Sequence, residues 1–102
     1  MTEYGKLVRD NIPGIIESSG KTSVTHIAND KEYDAALVNK LDEEVDEFRA
    51  SGETDELADI LEVIDAICES RGIDKDYLQQ VKQEKAQQRG SFTKKIILDR
   101  VK

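Results

Sequence analysis

Two acidic groups in this sequence have the residue types and spacing to hold a cation. The first reads Glu43-Glu44-Val45-Asp46-Glu47, and the second, after a Ser51-Gly52 break, reads Glu56-Leu57-Ala58-Asp59. Carboxylates three residues apart on a helix sit one turn apart on nearly the same face. Two such pairs, on helices folded back on each other between Leu41 and Asp65, would gather four carboxylates around one small volume. Four like charges have no reason to share that volume unless a cation joins them. Oxygen ligands of this kind suit hard divalent ions, and Mg²⁺ in particular works beside substrate phosphates.

The elements that must position these acids follow from periodicity. Asn29, with Glu32 three residues on, opens a long helix that runs to about Ser51. Leu37, Val38, Leu41, Val45 and Phe48 give it one apolar stripe at helical spacing. A second long helix starts near Thr54, read as its cap, and stops at Arg71-Gly72. Leu57, Ile60, Leu61, Val63, Ile64, Ile67 and Cys68 cover a broad arc of that helix, which is expected to be the most buried element. A further helix runs from Asp74 to Arg89-Gly90, and a short one near the N-terminus takes Pro13 in its first turn and ends by Gly20. Thr22–Ala28 and Phe92–Val101 read as strands that could pair. The fold class is therefore mainly α: a helical bundle with a small β ribbon from the N- and C-terminal segments. Because so few helices bury an aliphatic stripe poorly, association into a homodimer or homotetramer is expected to complete the core.

Helical geometry also separates the acids. At about 100° per residue, Glu44 and Glu47 lie along one flank of the first stripe, whereas Glu43 points away. Glu56 lies at the edge of the second helix's apolar arc, with Asp59 one turn on. Any one of these could be a solvated surface acid. Two pairs bordering apolar surface on adjacent helices need a compensating partner. On the last helix, Lys82, Lys85 and Arg89 continue the stripe begun by Leu78, so they are expected to face the acidic pocket or a phosphate chain held there. Lys6 and Arg9 are a second, smaller basic pair.

Composition limits the functional classes. The 102 residues carry a formal net charge of −7, which disfavours binding to nucleic-acid polymers or a membrane surface. The charge is unevenly spread: residues 42–62 hold ten acids and one base, and residues 82–102 hold seven bases and two acids. Length favours one domain spanning 1–102, with an aliphatic core, since aromatic content is 5% and Trp is absent. A single cysteine, Cys68, leaves no internal disulfide and suits a reducing, cytoplasmic setting. The N-terminal residues lack an apolar signal-peptide core, and no run is long enough to span a membrane. His26 is read as a surface histidine and Cys68 as a small core residue; Tyr33 and Tyr77, near helix starts, are read as packing residues, with stacking on a base as the alternative.

The pattern Glu43-Glu44-x-x-Glu47 followed by Glu56-x-x-Asp59 resembles the EExxE…ExxD motif of the all-α nucleoside triphosphate pyrophosphohydrolases. The opening Lys6-Leu7-Val8-Arg9-Asp10-Asn11-Ile12-Pro13 and the closing Lys85-x-x-x-Arg89-Gly90-Ser91-Phe92 are similar to small MazG-like, phosphoribosyl-ATP pyrophosphohydrolase-like members. The resemblance implies an oligomeric helical bundle that hydrolyses the α–β phosphoanhydride of (d)NTP-type nucleotides to monophosphate and pyrophosphate, with house-cleaning as its purpose. It implies Mg²⁺, with Mn²⁺ as a substitute, on Glu44, Glu47, Glu56 and Asp59. Glu44 or Glu47 would accept a proton from the attacking water, with Glu43 in support, and Lys82, Lys85, Arg89, Lys6 and Arg9 would hold the phosphates. In this sequence Asp59 leads into Ile60-Leu61-Glu62-Val63, where the histidine-pathway enzymes carry aromatic and His residues. Phosphoribosyl-ATP hydrolysis therefore ranks as an alternative. A non-catalytic acidic module that binds metal, nucleotide or a protein partner is the alternative outside the enzymes.

Overall fold

A computed structural model of the protein describes residues 5–102. In chain order the helices are α1 (Ile12–Ser18), α2 (Asp30–Ser51), α3 (Thr54–Arg71) and α4 (Lys75–Arg89). The protein is mainly helical, and there is no strand among the described residues.

Local sequence chemistry sets the helix ends. The Asn29 side chain accepts from the Glu32 amide at 2.9 Å and starts α2. Gly52 ends it at φ +67°, a left-handed conformation that other residues adopt at a cost. Thr54 is the first residue of α3 rather than its cap. Glu53 takes the cap position, with no capping side-chain bond. α3 closes on Gly72, again left-handed, and the Asp74 side chain caps α4 through the Asp76 and Tyr77 amides.

α2 and α3 form an antiparallel hairpin, the one extensive helix–helix contact among the described residues. Its core holds Leu37, Val63 and Cys68. At the end away from the turn, Arg71 donates to both carboxylate oxygens of Asp34, at 2.8 and 3.2 Å. Turn and clamp together fix the register of the two helices, and that register aligns their acids.

Burial is less complete than the stripes suggest. On α2, Val38 and Val45 are exposed while Leu37 is buried; on α3, Leu57 is exposed and Leu61 is 64% exposed. α3 is thus not fully enclosed. Its one large packing partner is α2; Ile60, Ile64 and Ile67 are half-buried, and Leu57 and Leu61 stay bare. α4 is more extreme, since Val81 alone is half-buried and the rest of the helix is exposed. The expected ribbon is not formed. Residues 22–28 and 92–101 have no ladder, and Val24, Ile27, Phe92, Ile96, Ile97 and Leu98 are exposed. A two-stranded ribbon without a sheet or helix to cover it is marginal in water, and these segments are largely exposed. The radius of gyration is 17.9 Å, against ~13 Å for a compact domain of this length.

Leu37, 2% exposed, is the most enclosed side chain of the hairpin. Leu37→Ala is expected to cost about 2–4 kcal/mol in urea unfolding; a loss below ~1 kcal/mol would show that the hairpin core does not carry stability.

Candidate metal centre

The hairpin places Glu47 one turn before the end of α2 and Glu56 in the first turn of α3, where the helix dipole favours acids. Glu44 and Asp59 lie one turn farther from the hairpin tip on their respective helices. One carboxylate oxygen from each of Glu44, Glu47, Glu56 and Asp59 lies within 4.8 Å of the other three. The two i,i+3 pairs therefore meet. Mg²⁺ binds oxygen at about 2.1 Å, so opposite ligands stand about 4.2 Å apart. The cluster would need to contract by about half an ångström to enclose it, and Glu47, which is exposed, has room to move.

Glu44 is the most constrained of the four. It is 5% exposed, its Oε1 lies 3.3 Å from Lys40 Nζ, and its Oε2 is buried without a hydrogen-bond partner. A buried carboxylate oxygen left unpaired is costly. Burial raises the Glu44 carboxyl above the usual range, neighbouring Glu47 raises it further, and Lys40 offsets part of the rise. These conditions fit a cation ligand: a bound dication would supply the missing partner and favour the ionised form. The residues present suit a hard divalent ion, since all four donors are carboxylate oxygens.

Glu43 does not point away from the site. Its Oε1 accepts from Lys6 Nζ at 2.9 Å and from Lys40 Nζ at 3.3 Å. Burial raises the Glu43 carboxyl, but the hydrogen bonds and charges of the two lysines outweigh it and leave the carboxyl below its ordinary value. The wheel position of Glu43 is outside the apolar stripe, yet the segment before α1 crosses that flank of α2 and brings Lys6 to it. Arg9, on the same segment, donates from Nη2 to Asp59 Oδ1 at 2.8 Å. Two of the sequence-nominated cations therefore reach the acids.

The other three do not. Lys82, Lys85 and Arg89 are exposed on α4 and make no ion pair with the acidic cluster among the described residues. Among the described residues α4 makes no extensive contact with the hairpin, and the stripe they extend is exposed apart from Val81. Lys40 was missed. Its spacing of three and four from Glu43 and Glu44 was the available signal. Cys68 is buried as expected, Tyr33 is half-buried, Tyr77 is exposed, and His26 Nε2 lies 3.0 Å from Glu32 on the surface.

Beside the cluster, between residues 7–15 and the hairpin, runs a cleft of about 580 Å³. Its lining includes Leu7, Ile12, Tyr33 and Val63 together with Glu44 and Asp59.

No family model matches the chain, and no solved structure matches it. An uncharacterized protein of Mycolicibacterium smegmatis (strain ATCC 700084 / mc(2)155) is 54% identical over 50 residues, 49% of this chain and 51% of that protein. The chain thus spans about half the length of this relative. No helix among the described residues is long and apolar enough to cross a membrane.

The raised Glu44 carboxyl sets two opposite pH dependences. In the cation-free protein, the folded chain holds this proton to higher pH than the unfolded chain does. Glu44's contribution to stability therefore declines as pH rises through its raised value. Cation binding needs the carboxylate, so Mg²⁺-induced stabilisation fades as pH falls through the same range. Thermal melts with and without saturating Mg²⁺ should show a stabilisation of about 2–3 kcal/mol near neutrality. Glu44→Gln should abolish it without lowering the cation-free melting temperature. An undiminished Mg²⁺ shift in Glu44→Gln would exclude Glu44 as a ligand.

Proposed function

We propose that the protein is a Mg²⁺-dependent nucleoside triphosphate pyrophosphohydrolase of the MazG-like all-α type, cleaving the α–β phosphoanhydride to release a monophosphate and pyrophosphate. The observation that carries this reading is the convergence of Glu44, Glu47, Glu56 and Asp59 on one volume, with a buried Glu44 oxygen lacking a partner. A carboxylate cage bordered by lysine and arginine suits a metal–polyphosphate ligand better than it suits either ion alone. When bound, Mg²⁺ would neutralise phosphate charge and activate water for attack on phosphorus.

The chain's own residues would do the rest. Glu47, or Glu44 where the cation leaves it an oxygen, would accept the proton of the attacking water. Glu43 would hold Lys6 and Lys40 at the rim. Arg9 and Lys6 would hold phosphate oxygens, Arg9 by its two-pronged fork. The adjoining cleft, whose lining includes Tyr33 and aliphatic side chains, has room for a nucleoside next to the acids.

The reading includes a homodimer or homotetramer. The bare apolar residues of the hairpin, Val38, Val45, Leu57 and Leu61, support association, as do the exposed Phe92, Ile96 and Ile97. In such an assembly, Lys82, Lys85 and Arg89 would serve the acidic cluster of another copy, and the terminal ribbon could form against a partner's surface. A cytoplasmic setting fits the single unpaired cysteine.

One observation favours the non-catalytic alternative: Arg9 and the two lysines already neutralise part of the acidic charge without a cation. That alternative predicts Mg²⁺-linked stabilisation without turnover. Pyrophosphate release from the eight common (d)NTPs and from phosphoribosyl-ATP, in Mg²⁺ and in EDTA, separates the readings. Mg²⁺-dependent release is expected, falling at least ~10²-fold in Glu44→Gln and in Asp59→Asn with both variants still folded. Release unaffected by either substitution would remove the assignment, and no release from any nucleotide would favour the binding module.

A further inference from the structure

The cations around the acidic cluster sit on particular oxygens. Among the described residues, Glu47 and Glu56 have no ion-pair partner, and Glu44 pairs with Lys40 one turn away on its own helix. Asp59 alone of the four is held by a cation from outside the hairpin, Arg9, at 2.8 Å. A guanidinium and a dication compete for that carboxylate by charge and by space. Arg9 is the partner able to yield: its side chain is 57% exposed, and it lies on an irregular segment before α1. It cannot go far, because Leu7, Val8 and Ile12 on either side are half-buried along the cleft. A guanidinium moved off Asp59 would therefore remain at the rim, where a phosphate next to the cation would meet it.

We propose that Arg9 is an exchange ligand, neutralising Asp59 in the cation-free protein and passing to a phosphate group when a divalent cation takes Asp59. This rests on reading the acidic cluster as a divalent-cation site. Its consequence is thermodynamic. Without phosphate, Arg9 opposes the cation; with phosphate, the same residue couples the two ligands, so that each strengthens binding of the other. The metal–phosphate pair would be retained in preference to either ion alone, with Arg9 as the binding residue that links the two.

Calorimetric titration of Mg²⁺ into the full chain, in phosphate-free buffer and again in inorganic phosphate, tests this with no need for turnover. In phosphate-free buffer, Arg9→Met should bind Mg²⁺ about two- to fivefold more tightly than the wild type, the scale of an exposed ion pair. Arg9→Lys, which keeps the charge, should stay near the wild type there. Inorganic phosphate should tighten Mg²⁺ binding to the wild type and leave Arg9→Met unchanged. Equal or weaker Mg²⁺ binding by Arg9→Met without phosphate, or an equal phosphate effect in both proteins, would overturn the exchange while leaving the cation site standing. No Mg²⁺ binding by either protein would overturn both.

Discussion

Like charges held a few ångströms apart repel, and a carboxylate removed from water is costlier still unless something binds it. The hairpin imposes both conditions on Glu44, which is buried beside Glu47 with one oxygen unpartnered. The surrounding features can be understood as responses to that stored electrostatic cost. Lys40 sits one turn back on the same helix, and Lys6 and Arg9 are brought across by the segment before α1. These cations are mostly half-exposed, so they lower the repulsion without removing it. What remains is a carboxylate oxygen without a partner, which is the basis for proposing a compact, doubly charged ligand there.

The scaffold that gathers these acids is small. A tight left-handed turn at Gly52 and a bidentate Arg71–Asp34 clamp at the far end fix how α2 and α3 lie against each other. With the register set, two i,i+3 pairs face each other by helix geometry alone, and the acids are carried on rigid helices rather than loops. The short α1 and the chain before it form the opposite wall, which makes the site a cleft. The price is an incomplete enclosure, with aliphatic side chains of both helices and of the C-terminal segment left bare.

Much of this arrangement is legible in the sequence. Asn29, Gly52, Gly72 and Asp74 mark helix ends through local chemistry, and the spacing of Glu44, Glu47, Glu56 and Asp59 selects the residues that converge. What the sequence hides is tertiary. Helical wheels place Glu43 on an outer flank, but they cannot tell that a chain segment 37 residues earlier will cross that flank and bring Lys6 to it. Likewise, Lys82, Lys85 and Arg89 share a stripe with Leu78, but a stripe names a face without naming its neighbour, and among the described residues α4 makes no extensive helix contact. The strand patterns at residues 22–28 and 92–101 fail for a related reason: alternation makes a segment capable of pairing, and a covering surface must stabilise the pair.

The central claim is that the four carboxylates form one divalent-cation site. Anomalous diffraction from crystals grown with Mn²⁺ tests it most directly. The account predicts a single strong peak between α2 and α3, ligated by Glu44, Glu47, Glu56 and Asp59 and lost in Glu44→Gln. A cluster without a peak at saturating Mn²⁺, or Mn²⁺ bound elsewhere with the Arg9–Asp59 pair intact, would contradict it.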